Sequence, residues 1–349
     1  MIKMNEAPLI SSPHLHQGSS VGGVMRHVII ALVPGILLSI WVYGWGVLIH
    51  CVLAVLFALA IEAAMLRLRE QPLPLFLYDG SAVVTGLLFA LAVTPFAPWW
   101  VDMVGMGFAI IVAKHLYGGL GYNLFNPAMA GYVFVLLCFP AAMTIWPYAA
   151  GTGHAHAGLM DTLSIIFTGH PLSGTVDGLS GATPLSYMKS QLNGMAMVAE
   201  ITRAPLFGTF AGKGAEWLAL AWMAGGAWLF LNRIIKWQMP MVFIATLFIF
   251  NLLCYWVDAS RYPSPLFTLF AGGAMLAAFF IITDPVTAAN TPRGRIIYAA
   301  GIGIITCLIR TWGGYPEGVA FAVLIMNAAA PFIDSCTRPR VFGEQKLQI

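Results

Sequence analysis

Ten apolar stretches, each near the length of a membrane-crossing helix, follow one another along this chain: 27–43, 45–66, 79–95, 99–116, 126–147, 216–233, 238–256, 265–283, 296–311 and 317–334. Crossing the hydrocarbon core takes roughly 20 mostly apolar residues. Lipid offers no water to unpaired backbone groups, so such stretches are expected to be helices. Hydrophobic residues make up 59% of the chain and charged residues only 9%, against about 25% charged in soluble domains. The expected class is an all-α integral membrane protein. Several stretches carry a breaker, at Pro34, Gly44, Pro127, Pro140 and Gly301, which neighbouring helices can absorb. The net charge of +3 gives no reason to expect a nucleic-acid partner, and the basic excess should be topological instead.

Placing the N-terminus inside puts twelve of the 17 Lys and Arg in the cytoplasm, among them Arg67, Arg69, Lys114, Arg233 and Arg293. The opposite face keeps Lys189, Arg203, Lys213, Arg261 and Arg310. Trp41, Trp45, Trp99, Trp100, Trp146, Trp217, Trp256 and Trp312 then all fall at the outer interface, where indole rings prefer to sit. Both termini are predicted to be cytoplasmic. The implied layout is an N-terminal segment 1–25, a first membrane half 26–147, an extracytoplasmic loop 148–215, a second half 216–335 and a tail 336–349. Met1–Met25 is polar and turn-rich and lacks a charged start followed at once by an apolar run, so no cleaved signal peptide is expected.

Two segments share an order of features. The first runs Val93-Thr94-Pro95, Ala109-Ile110-Ile111, Gly118-Gly119 and Asn126-Pro127-Ala128-Met129-Ala130. The second runs Thr283-Asp284-Pro285, Gly303-Ile304-Ile305, Gly313-Gly314 and Asn327-Ala328-Ala329-Ala330-Pro331. Five crossings before the loop and five after it would relate the two as an inverted repeat. Folds of that kind place broken helices and a ligand site at the pseudo-two-fold axis.

The long polar interruption holds Asp177-Gly178-Leu179-Ser180-Gly181-Ala182-Thr183-Pro184-Leu185. A loop facing water has no evident packing reason to gather small residues around a hydroxyl, but it has one if something must reach Thr183. Gly178, Gly181 and Ala182 would give access and a flexible backbone. Thr183 followed by Pro184 also reads as the N-cap and first residue of a short helix. These readings agree, since a helix N-terminus favours a phosphate. Asp177 is a recognition candidate for a modifying enzyme, and Ser180 a candidate turn cap.

The stretch Asp-x-x-Ser-Gly-Ala-Thr closely resembles the site at which a flavin transferase esterifies FMN to a threonine hydroxyl. That site occurs in membrane subunits of Rnf-type and Na⁺-translocating NADH:quinone reductase complexes. Over nearly its whole length the chain resembles the D subunits of Rnf electron-transport complexes. Ser12-Pro13-His14, the Gly118–Ala128 stretch and Thr283-Asp284-Pro285-Val286-Thr287 support the likeness. The related B subunits of the quinone reductase usually carry a longer N-terminal extension, which this chain lacks. The resemblance implies a redox subunit of an ion-translocating oxidoreductase in the bacterial inner membrane. It further implies covalent FMN on Thr183, a non-covalent riboflavin, and electron relay between ferredoxin and NAD. The implied partners are a second FMN-carrying subunit, iron–sulfur subunits, the flavin transferase and membrane lipid.

Asn123 and Asn126 sit on a glycine-rich turn, and their amides can hydrogen-bond the uracil-like edge of a flavin where an unpaired amide is costly. Asn126 before Pro127 also reads as a helix cap. Asp284 is the second-half counterpart. Ionisable residues deep in the spans are nearly absent: Glu62, Asp102 and Lys114 fall near stretch ends, and His50 about one turn in. No carboxylate chain for ion transport is therefore expected here. Cys51, Cys138, Cys254, Cys307 and Cys336 are scattered singly, without the spacing of a zinc or iron–sulfur site. His154 and His156 are expected in a solvated loop without a metal. The competing class is a secondary transporter or channel, which an inverted repeat also suits; it would carry no covalent chromophore.

Overall fold

The computed structural model describes residues 20–154 and 156–338; Ser12-Pro13-His14 lies outside them. The first half starts with α1 (Val21–Tyr43), capped by the Ser20 hydroxyl, and α2 (Gly46–Leu68). A single turn, α3 (Leu73–Leu77), and α4 (Ser81–Ala90) follow. Next comes α5 (Trp99–Gly107), which continues as a π-helix over Phe108–His115, and then α6 (Pro127–Cys138) and α7 (Pro140–Met143).

The polar segment folds as β1 (Trp146–Pro147), α8 (Leu159–Thr168), α9 (Val176–Leu179), β2 (Ser180–Gly181), α10 (Pro184–Asn193) and α11 (Val198–Ile201). The second half holds α12 (Ala215–Leu231), α13 (Gln238–Val257) and α14 (Pro265–Phe270). After these come α15 (Ala274–Leu276), continued as a π-helix over Ala277–Ile281, then α16 (Pro292–Trp312) and α17 (Val319–Thr337).

The chain is a multi-pass helical membrane protein. Five helices, α1, α2, α13, α16 and α17, are long and apolar enough to cross a bilayer by length and composition. Of the other five expected stretches, 99–116 and 216–233 form continuous helical runs over 99–115 and Ala215–Leu231. The remaining three are broken for a local reason. Stretch 79–95 is helical only over Ser81–Ala90, because Thr94-Pro95 and Pro98 stop it. Stretch 126–147 breaks at Phe139-Pro140. Stretch 265–283 breaks at Gly272, whose φ of 67° is left-handed.

The helix contacts of one half recur in the other. α2 packs on α4 and α5 as α13 packs on α14 and α16, and α5 meets α6 as α16 meets α17. The halves join where α1 lies on α12 and α6 on α17. Gly80, with a φ of 78°, opens α4 much as Gly272 precedes α15. One expected correspondence fails. Asn126 caps the start of α6, whereas Asn327 lies inside α17, about two turns from its start. At α17 the N-cap position is Gly318, and the carboxylate of Glu317 before it accepts the N–H groups of Gly318 and Val319.

Hydrogen-bonded pairs fix how α2 and α5 run. His50 meets Asp102 and Glu62 meets Lys114, so both chains advance in the same direction. The connection over 69–98 therefore travels the length of α2, although its longest helix has only ten residues.

Close approach of α1 and α12 depends on glycine. A Cβ on Gly35 would stand 2.0 Å from the Trp222 ring, and one on Gly225 would stand 2.2 Å from the Ala31 carbonyl oxygen. Gly225→Val should lower the melting temperature in detergent by an amount corresponding to about 1–3 kcal/mol of overpacking. Gly107→Ala, where nothing lies within 4 Å, should leave it unchanged. Equal melting of the two variants would contradict this packing.

Candidate functional site

Two cavities lie at opposite ends of α4. The first, of about 300 Å³, is lined by Thr183 together with Tyr132, Trp146, Trp222, Gly272 and Glu317. The second, of about 220 Å³, is lined by Asn123, Asn126, Asp284 and Lys114. Ligand pockets usually measure about 300–1,000 Å³. A ring system in the smaller cavity would therefore touch its walls closely. Residues one to three positions apart line opposite cavities: Ala90 and Leu91 against Leu88, Met129 against Ala128, and Ile281 against Phe280. The wall between the cavities is apolar at all these positions.

Thr183 is the N-cap of α10, with Pro184 as the first helical residue. Its Oγ1 accepts the Ser186 N–H at 3.2 Å and donates to the Ser186 Oγ at 2.9 Å. The preceding residues are fixed rather than loose. Ser180 and Gly181 pair antiparallel with Pro147 and Trp146, so Ser180 is an extended residue at the C-cap position of α9. Gly181 has a packing reason that the sequence did not reveal: a Cβ there would lie 2.3 Å from the Tyr148 ring. Tyr148 in turn stacks on His154 at 3.8 Å. Asp177 and Ala182 are exposed, and Asp177 lies in the single turn α9. Among the described residues no group of His, Cys, Asp or Glu could hold a metal.

Residues not singled out by the sequence anchor this cavity. Glu317 accepts from Arg310 Nε at 3.1 Å and Nη2 at 2.8 Å, and from the Gly273 N–H at 3.0 Å. Arg310 Nη1 also donates to the Thr268 carbonyl at 2.7 Å. Gly272 must be glycine, since a Cβ there would stand 2.2 Å from Glu317 Oε2 and 2.4 Å from Leu185. Lys189 of α10 donates to the carbonyls of Ile309, Arg310 and Tyr315 at 3.1, 3.1 and 2.8 Å. It thereby caps the C-terminal end of α16, where a cation is favoured. Partial burial lowers the Lys189 pKa from the ordinary lysine value, while the three carbonyls oppose loss of the proton.

At the second cavity the three residues picked from the sequence come together. Asn126 Oδ1 accepts the Met129 N–H at 3.2 Å and Nδ2 donates to Asp284 at 3.4 Å. Asp284 also accepts from the Val286 N–H at 3.1 Å and the Thr287 hydroxyl at 3.0 Å. Asn123 Nδ2 donates to the Phe125 carbonyl at 3.2 Å. Its Oδ1 is buried without a partner, an acceptor left free in the lining of a cavity, which is costly unless a ligand donor uses it. Asn327 has a different place from the one expected. In the amide orientation that satisfies its neighbours, its Oδ1 accepts the Asn126 N–H at 2.9 Å and its Nδ2 donates to Tyr298 Oη at 2.6 Å.

The expectation of few buried ionisable groups needs correction. His50 Nδ1 lies 2.6 Å from Asp102 Oδ2 with both side chains fully buried. Glu62 binds Lys114 Nζ at 2.8 Å and His115 Nε2 at 3.2 Å, all three 2% exposed. Pairing across helices hides these charges, and no single stretch shows its partner. One signal was legible: His50 and Glu62 are spaced as Asp102 and Lys114 are, about 18 Å apart along a helix. The side chains between them, such as Ala54, Ala58, Met106 and Ile110, are apolar and buried, so the two clusters form no continuous polar path.

A bundle of apolar helices enclosing two polar-edged cavities defines a multi-pass membrane protein. The family model for NQR2, RnfD and RnfE matches residues 9–343, and the chain belongs to that family. It is similar to proteins named as the D subunit of an ion-translocating oxidoreductase complex. Identity is 46% with the one from Escherichia fergusonii, 45% with that from Aliivibrio salmonicida and 47% with that from Salmonella typhimurium. Each likeness covers 97% of this chain and 99% of the relative.

Lys189→Met should free the end of α16 and loosen α10, because each stranded carbonyl costs about 1–3 kcal/mol if it stays buried. Faster amide hydrogen exchange over 184–193 is the expected result. Wild-type protection there would show that Lys189 does not anchor the helix.

Proposed function

We propose that the chain is the membrane electron-relay subunit of an Rnf-type ion-translocating oxidoreductase. In this reading FMN is esterified to Thr183, and riboflavin sits non-covalently in the Asn123 cavity. Electrons pass between the two across the apolar wall, within a complex that links ferredoxin and NAD to ion movement. The name its relatives share supports the complex. The observation that carries the reading is the paired cavities at the two ends of α4, one lined by the candidate ester hydroxyl and the other by an unpaired buried acceptor.

The residues fit these groups. At Thr183 the phosphate would sit at the N-terminus of a ten-residue helix, where the helix dipole favours negative charge. Tyr132, Trp146 and Trp222 line the cavity beside it and can pack on an aromatic ring. At the other end Asn123 Oδ1 can accept from a ring N–H, and the half-bound Asn126 amide can orient the same edge. The bound flavins supply the redox chemistry; the protein contributes position, dryness and charge. Tethering to Thr183 replaces binding affinity by effective concentration.

The proposed topology has ten crossings in an inverted five-plus-five repeat, with both termini cytoplasmic and Thr183 on the periplasmic side. It is supported by the recurring contacts of the two halves and the parallel run of α2 and α5. Exposed apolar side chains such as Leu37, Trp41, Leu56 and Phe332 would face lipid or the other subunits, which include iron–sulfur and FMN-carrying members. The apolar wall between the cavities argues against a solute transporter, which needs a polar path.

Thr183→Val should abolish the flavin fluorescence of the denatured chain in a gel, after co-expression with a flavin transferase. A band that persists would move the ester to Ser180 or Ser186. Asn123→Ala should keep that band while weakening retention of riboflavin by about tenfold, the loss expected for one buried hydrogen bond. Unchanged riboflavin content would remove Asn123 from the site.

A further inference from the structure

We propose that Lys114 sets the charge of the Asn123 cavity, favouring the reduced, anionic form of a flavin bound there over the oxidised form, on the reading that this cavity holds the non-covalent flavin. Two-electron reduction with uptake of one proton at ring N5 leaves one negative charge, shared between N1 and the C2 carbonyl. An ammonium in the cavity lining stabilises that charge and has little to gain from the neutral ring.

The geometry supports a cation held for this purpose. Lys114 lies in the last turn of the π-helical stretch and lines the cavity. Two of its three protons go to Glu62 Oε1 at 2.8 Å and to the Ser81 hydroxyl at 3.0 Å. The third has no partner among the described residues. Glu62 does not line the cavity. It is held from behind by His115, whose Nδ1 lies 3.2 Å from Arg69 at the exposed surface. Asp284, the other charged residue in the lining, is already engaged by Asn126, Val286 and Thr287. A buried ion pair is seldom more stable than an apolar replacement, so stability alone is a weak reason to place lysine here.

The Thr183 cavity is built the other way round. Arg310 sits at the end of α16 much as Lys114 sits at the end of the α5 helix, but there the carboxylate of Glu317 lines the cavity, and Arg310 does not. Covalent FMN beside Thr183 therefore serves as an internal control, because Lys114 lies outside its cavity.

The test uses the full chain in detergent, with its covalent flavin in place. Dissociation constants of oxidised riboflavin and of dithionite-reduced riboflavin are measured anaerobically. In wild type the reduced form should bind more tightly. Lys114→Gln should shrink that preference about tenfold, Lys114→Arg should largely restore it, and Glu62→Gln should enlarge it. The reduction behaviour of the covalent flavin should not move. Opposite signs for Lys114→Gln and Glu62→Gln are not expected of a purely structural pair. If Lys114→Gln binds oxidised riboflavin with an unchanged preference, the proposal is overturned. If that variant does not fold, an unchanged preference in Glu62→Gln overturns it equally. Wild-type protein that binds neither form would instead remove the cavity reading itself, and the proposal with it.

Discussion

Backbone polar groups in a bilayer must find partners inside the protein, and this requirement organises the molecule. Helices can stop at membrane depth only where side chains or a protein-lined cavity receive the freed groups. Here they stop after Ala90, at Ala271-Gly272-Gly273 and after Ile281. The side chains that serve these breaks are also the polar residues of the cavities. Glu317 takes the Gly273 N–H, Asp284 takes the Val286 N–H, and Asn126 and Thr183 cap their own helices. Capping and ligand binding use the same chemistry, so the breaks generate the sites.

Two further constraints keep the sites where they are. Glycines at the α1–α12 contact let the two halves approach closely. Buried ion pairs then fix the depth of the helices relative to one another. His50–Asp102 and Glu62–Lys114 join α2 to the α5 helix near its two ends, and Arg310–Glu317 does similar work at the end of α16. Breaking either partner of such a pair strands a charge, which is far costlier than the pair is stabilising.

Much of this was legible in the sequence, and the omissions have physical causes. Apolar length identified the spanning helices, because burial in lipid leaves helix as the only option. The cap readings for Thr183 and Asn126 held because Thr-Pro and Asn-Pro have local backbone preferences. Asn123 and Asn126 were grouped as amides on one glycine-rich turn and Asp284 as their second-half counterpart, and the structure brings all three to one cavity. Lys189, Glu317, Arg310 and the Glu62–Lys114 pair were missed, since each acts through a partner far away in the chain. Gly181 looked like an access residue, but it is small because Tyr148 lies against it. Helix ends at the broken stretches were misjudged for a similar reason: hydropathy reports the environment of a residue and is silent on whether its backbone turns there.

The central claim, that the Thr183 hydroxyl carries a flavin next to the larger cavity, is tested most directly by peptide mapping of the native chain. Protein made together with the modifying enzyme should yield a Thr183-containing peptide heavier by one FMN less one water, with fragmentation placing the added mass on Thr183. An unmodified Thr183 peptide from such material would contradict the account.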